Sequence, residues 1–279
     1  MRPSLPGQRF ANLVARCDEE HVDLPLDTSC LLAAAVFDTG VEPDRYMRKL
    51  DALAARAAKA AGGSNDPYAR MGGVLKTLFG EGGFRGNHGA YYEPGNSLLS
   101  SVLDRRIGIP ITLSVVVLET ARRVGLTLQG VGLPGHFVVA FPDPSSRLFI
   151  DPYQGGAVLD VTDCVALVDK LYRGRITWRD SFLDPVSHRT IVKRVLLNLK
   201  NSLSQAKNYV SALAAIELQL VLDPDDPTEL RDRGILFARL HRYDRAIEDL
   251  ETYLRRSPGA GDGETIRHTV EYLRQARGL

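Results

Sequence analysis

Apolar residues recur at three- and four-residue steps through the first eighty positions, a spacing that predicts helices. Asp27-Thr28-Ser29 offers N-caps ahead of CLLAAAVF, and Gly40 closes that helix. EPDRYMRKLDALAARAAKAAGG opens with Pro43 in its first turn and brings Tyr46, Leu50, Leu53 and Ala57 to one face before Gly62-Gly63. DPYARMGGVLKTLFGEGGF has its own Asp-Pro start and glycine stop. The loop GEGGFRGNHGAYYEPG follows, without the spacing or the lysine of a phosphate loop. Its His88 reads as a surface histidine, with a place near a site as the alternative.

The pattern changes at Asn96. That residue suits the N-cap of a helix through Leu98, Leu99, Val102 and Leu103 to Arg106, and Gly108 breaks it. Pro110 then fits the first position of a second helix, where a missing N–H costs nothing. From Ile111 to Val124 this helix is apolar on nearly every side, as a buried central helix is. LTLQGVGL, HFVVAF and LFIDPY read as three strands, with PDPSS as a turn before the third. Residues 163–172 read as a helix, followed by a polar connection to about Arg189. The fold class expected is α+β, a central helix packed on an antiparallel sheet.

The end of the chain repeats. Shifting residues 193–224 by 34 places Leu196 on Leu230, Leu203 on Phe237, Tyr209 on Tyr243, Ala212 on Ala246, Ile216 on Leu250 and Pro224 on Pro258. This is the period and the residue pattern of a tetratricopeptide array. Gly234 matches the small position of the repeat, whereas Lys200 in the first copy does not. A last helix is expected over residues 264–277. The expected division is 1–85 for an N-terminal helical segment packed on the core, 86–188 for the core, and 189–279 for the repeats.

Composition removes several classes of function. In 279 residues, 35 Lys plus Arg stand against 34 Asp plus Glu, so no long-range field favours nucleic acid or an anionic membrane. No apolar run reaches the roughly 18 residues needed to span a bilayer, and MRPSLPGQRF has no signal-peptide core. Cys17, Cys30 and Cys164 lie far apart, which suits a reducing compartment and places the protein in the cytoplasm. His88, His136 and His188 lack metal-ligand spacing, and neither metal nor cofactor is expected.

Three stretches carry a resemblance: Asn96 to Leu113 with its Arg-x-Gly-Ile-Pro step, Gly132 to Phe137 with Pro-Gly-His-Phe, and Ile150 to Gly156. In this order they resemble the SirB1 family, bacterial transglutaminase-like proteins with tetratricopeptide repeats. The resemblance implies a papain/transglutaminase-like core. Such a core places a thiolate at a helix N-terminus, a histidine as its base and a carboxylate behind the histidine. His136 and Asp151 match the last two roles. The cysteine of transglutaminases stands two residues after a glycine, and counting from Gly108 that position is Pro110.

Two hydroxyls on the same helix are the alternative nucleophiles. Thr112 lies about 200° round from Pro110, while Ser114 shares the face of Pro110 but sits about 6 Å further along. Asn96, Arg106, Pro110 and Tyr153 are expected to line the cleft. One reading is an interaction or regulatory module that keeps a His–Asp pair, its repeats taking a protein or peptide partner. The other is a hydrolase or acyltransferase using Ser114, Thr112 or a distant cysteine with His136 as base. A buried pair that merely satisfies its own hydrogen bonds is the bland alternative to both.

Overall fold

The computed structural model describes residues 4–141 and 147–278, so the turn expected at PDPSS lies outside the described residues. The chain forms two compact units that divide between Val195 and Leu196.

The first unit begins with four helices, α1 Leu5–Glu20, α2 Leu26–Phe37, α3 Pro43–Ala60 and α4 Pro67–Leu75. The last runs into a π-helical segment, Lys76–Glu81. α3 buries Tyr46, Leu50, Ala54 and Ala57, the face its spacing predicts, with Leu53 half-buried beside them. α2 departs from the expectation. Its cap is Pro25, so Asp27 is not an N-cap but a buried residue of the first turn, where guanidinium groups of another helix claim its carboxylate.

A short parallel pair, β1 Arg85–Gly86 and β2 Ile107–Gly108, brackets α5 Leu99–Arg105. Asn96 is not the cap of α5 either. It lies fully buried in a 3-10 turn, Pro94–Ser97, because its amide is consumed by the preceding loop. α6, Pro110–Arg123, starts with Pro110 at N1 and buries every residue from Pro110 to Ala121. It is the central helix.

Against it lies an antiparallel sheet of five strands in the order β6–β5–β4–β3–β7. The strands are β3 Gln129–Val131, β4 Val138–Ala140, β5 Phe149–Asp151, β6 Ala157–Leu159 and β7 Pro185–Val186. Three of these fall in the three expected stretches. β7 falls in what reads as a polar connection, and β6 follows the Gly155-Gly156 turn. The register pairs Val139 with Ile150, and β5 ends with Asp151 opposite Ala157. α7, Val161–Tyr172, covers an apolar cluster of Val131, Leu133, Val138, Phe149, Cys164 and Val168.

α8, His188–Gln205, runs through the division between units. The second unit continues with α9 Tyr209–Leu222, α10 Pro227–Arg239, α11 Tyr243–Arg256 and α12 Gly263–Arg277. A Cβ on Gly234 would stand 2.7 Å from Leu250, so α10 and α11 approach closely only because that position is bare. In the first copy Lys200 occupies the equivalent place. It is buried, and its ammonium donates to Glu229 Oε1 at 2.7 Å and Asp232 Oδ2 at 2.8 Å. Among the described residues no helix is long and apolar enough to cross a membrane.

Candidate functional site

The turn that bears His136 is dictated by Pro134-Gly135. Proline takes the first central place and glycine, at φ +68°, the second, with His136 N–H donating to the Leu133 carbonyl at 3.1 Å. The chain then enters β4. From there the His136 ring reaches across to the end of β5, where Nε2 donates to Asp151 Oδ2 at 2.9 Å. Both side chains are buried, 6% and 1% exposed. Asp151 has a second task. Its Oδ1 accepts from the backbone N–H of Tyr153 (3.0 Å) and Gln154 (3.3 Å), capping the 3-10 turn Pro152–Gln154. With Nε2 committed, Nδ1 is the ring nitrogen left to meet a ligand, and it has no partner among the described residues.

Tyr153 stands beside the pair, its ring 6.1 Å from that of His136 and edge-on to it. The His88 ring centroid lies 4.5 Å from that of Tyr153, and that of Tyr91 6.3 Å from it. The His88–Tyr91 loop is therefore part of the site's wall, which its own sequence does not reveal. Asn96 explains why. Its Nδ2 donates to the carbonyls of Ala90 (2.7 Å) and Tyr91 (3.1 Å), while its Oδ1 accepts from Asn87 (3.1 Å) and Arg105 (2.7 Å). The Tyr153 hydroxyl donates to the Asn87 carbonyl at 3.0 Å, closing the loop onto the turn after Asp151. Burial pushes the phenols of Tyr153 and Tyr91 above their ordinary value, with neighbouring Arg194 opposing the shift at Tyr91.

Arg194 of α8 is the residue that sequence reasoning missed altogether. Its guanidinium donates to the carbonyls of His136 (2.6 Å) and Leu133 (3.1 Å) and lies over the Phe137 ring. It anchors both ends of the turn that carries the imidazole. No local pattern marks it, since the contact spans 58 residues.

The expected nucleophiles are both engaged by backbone groups. Thr112 is buried and donates to the Asn96 carbonyl at 2.7 Å, while its oxygen accepts from Ile109 N–H at 3.2 Å, a helix-start bond. Ser114, also buried, donates to the Pro110 carbonyl one turn back at 2.8 Å. No hydrogen bond joins either to His136 among the described residues. Arg106 takes a left-handed conformation at the end of α5 and lines a separate depression with Lys49, Arg56, Phe84 and Asp104. The three cysteines are free and buried, and burial pushes the thiols of Cys30 and Cys164 up, the latter to about 12. Among the described residues no three His, Cys, Asp or Glu side chains gather as metal ligands would.

Gly86 controls the fit of Tyr153. A Cβ there would meet its ring and carbonyl at 2.5 to 2.7 Å. Gly86→Val is therefore expected to push Tyr153 away from the imidazole. The check is the NMR shifts of the His88 and His136 rings, which should both move as the aromatic neighbour leaves. Unchanged shifts would mean that Tyr153 does not pack as described.

The comparisons with known proteins agree with this architecture. The family model for the Transglutaminase-like superfamily matches residues 44–197, and that for the tetratricopeptide repeat matches residues 199–271. A UPF0162 protein of Xylella fastidiosa (strain 9a5c) is 36% identical over 206 residues, 72% of this chain and 73% of its own. A UPF0162 protein of Vibrio cholerae is 28% identical over 259 residues, 92% of this chain and 95% of its own. Protein SirB1 of Salmonella typhimurium is 25% identical over 257 residues, again 92% and 95%. No solved structure gives a significant match. With a transglutaminase-like core and a repeat unit in one polypeptide, the chain belongs to the SirB1 (UPF0162) family of the transglutaminase-like superfamily.

Proposed function

We propose that this protein is a transglutaminase-like pseudoenzyme of the cytoplasm, an interaction or regulatory module that holds a ligand or partner without covalent chemistry. The observation that carries the reading is the start of α6. Proline occupies the place where the resemblance calls for cysteine, and both hydroxyls within the next turn spend their protons on backbone carbonyls. A hydroxyl held in this way is no nucleophile without a base to free it. His136, Asp151 and Tyr153 then serve as a polar and aromatic surface for a ligand. The repeats supply the surface for a protein or peptide partner, as helical arrays of this kind generally do. The sparse, unpaired cysteines support the cytoplasmic placement.

The competing reading is a hydrolase or acyltransferase with His136 as base, which the open Nδ1 keeps in play. Treating the full chain with a hydroxyl-directed fluorophosphonate and, separately, a thiol-directed iodoacetamide distinguishes the two. The expected outcome is no stoichiometric labelling that depends on His136. Labelling of one residue per chain that disappears in His136→Ala would establish the enzyme instead.

A further inference from the structure

We propose that a cleft within the repeat unit, lined from α8, α9 and α10, binds a single carboxylate of a peptide partner, an Asp or Glu side chain flanked by an apolar residue. The proposal rests on the reading of the repeats as a docking surface and names the chemistry that they select.

The cleft encloses about 280 Å³, the scale of one or two side chains and below that of a typical small-molecule pocket. Ile216, Ile235 and Leu236 supply its apolar wall, and Lys200, Asn201, Ser204, Tyr209, Asp232 and Arg239 its polar groups. The polar balance is one-sided. Asp232 is the one carboxylate of this lining, and it is already taken, Oδ2 by Lys200 and Oδ1 by Arg231 at 2.8 Å.

Donors remain in surplus. Lys200 has three N–H bonds and spends two, on Glu229 and Asp232. Asn201 and Ser204 make no side-chain hydrogen bond among the described residues. Arg239 has five donors and gives one, to the Tyr209 hydroxyl at 3.2 Å, while its guanidinium lies over the Tyr209 ring 5.2 Å from the centroid. That stacking holds the planar fork in place, and a fork of this kind matches the two oxygens of a carboxylate. A ligand that accepts hydrogen bonds and carries one negative charge answers the open donors.

The neighbouring charges limit that ligand to a small anion. Asp232 in the lining and Glu229 bonded to Lys200 mean that a polyanionic strand would meet repulsion where a lone carboxylate meets donors. The apolar wall asks for a hydrocarbon neighbour to the carboxylate. A short acidic and apolar peptide segment combines both.

The test is selection of a random linear heptapeptide library displayed on phage against the full-length protein. One selected peptide is then synthesised in its acid form and with Asp or Glu changed to Asn or Gln. The expected result is enrichment of one acidic position beside an apolar one. The acid form should bind the wild type at least about tenfold more tightly than the amide form. Arg239→Gln, an exposed position whose circular dichroism melt should not change, should bind the two forms alike. Binders without acidic enrichment, or acid selectivity that survives in Arg239→Gln, would overturn the proposal and leave the docking role intact. Absence of any binder would remove both.

Discussion

Asparagine in place of Asp27 is expected to lower the unfolding free energy of the first unit by about 3–5 kcal/mol at neutral pH, the scale of a broken buried ion pair. Two carboxylates and two guanidinium groups meet there. Arg122 and Arg123 both donate to Asp27 Oδ2 (3.0 and 2.6 Å) and both to Glu119 Oε2 (2.7 and 2.5 Å). The acids are 3% exposed and Arg123 is 10% exposed, with a further bond to the exposed Asp51. The amide leaves a nearly buried cation short of a counter-charge.

Glu119→Gln should cost far less, about 1 kcal/mol. Burial and the adjacent Asp27 push the Glu119 carboxyl above its ordinary value, so its charge is the more expensive of the two to keep. Asp27 is the opposite case: burial raises it, but hydrogen bonds from Arg123 and its neighbours outweigh that and hold it low.

The pH dependence separates the two acids. The stability owed to Asp27 is complete above its ordinary value of 3.8 and fades as pH falls through the depressed folded value. That tied to Glu119 is present below its ordinary value of 4.5 and fades as pH rises through the raised folded value. Urea midpoints followed by the single tryptophan, Trp178, which lies in the first unit, should show both trends. Equal losses for the two variants at every pH would refute this account.

The repeat unit has an equivalent weak point. Lys200→Ala should destabilise it by about 3–5 kcal/mol, because Glu229 would face Asp232 with no cation between them. The Glu229 side chain is 4% exposed, and burial already pushes its carboxyl up against the pull of Lys200. The double variant Lys200→Met with Glu229→Gln removes both charges and keeps volume, and should recover most of the loss. Amide hydrogen exchange in α10 would report it. Protection that stays unchanged in Lys200→Ala would show the ammonium to be dispensable.

What the sequence discloses follows the range of each interaction. The central helix is legible because a helix buried on all sides must be apolar all round, and α6 is. The repeats are legible because apolar and small positions such as Leu230, Phe237, Ala246 and Leu250 repeat those 34 residues earlier. Strands β6 and β7 are too short for alternation to mark them, at three and two residues. Asp27 looks like a cap because Asp-Thr-Ser commonly is one; the guanidinium that claims it lies 96 positions away. Lys200 looks like a mismatch to the repeat until Glu229 and Asp232 are seen around it. Arg194 belongs to the same group, its purpose set by carbonyls 58 and 61 positions away, whereas Asn96 is claimed by the loop just before it.

Arg194 also decides what acidity can do to the imidazole's surroundings. Burial lowers the value of its guanidinium, yet a guanidinium starts so high that it stays charged throughout the range in which proteins remain folded. The two carbonyls it grips are thus held equally from mildly acid to alkaline solution. The mount that carries the ring therefore adds nothing to any response of ligand affinity to proton concentration.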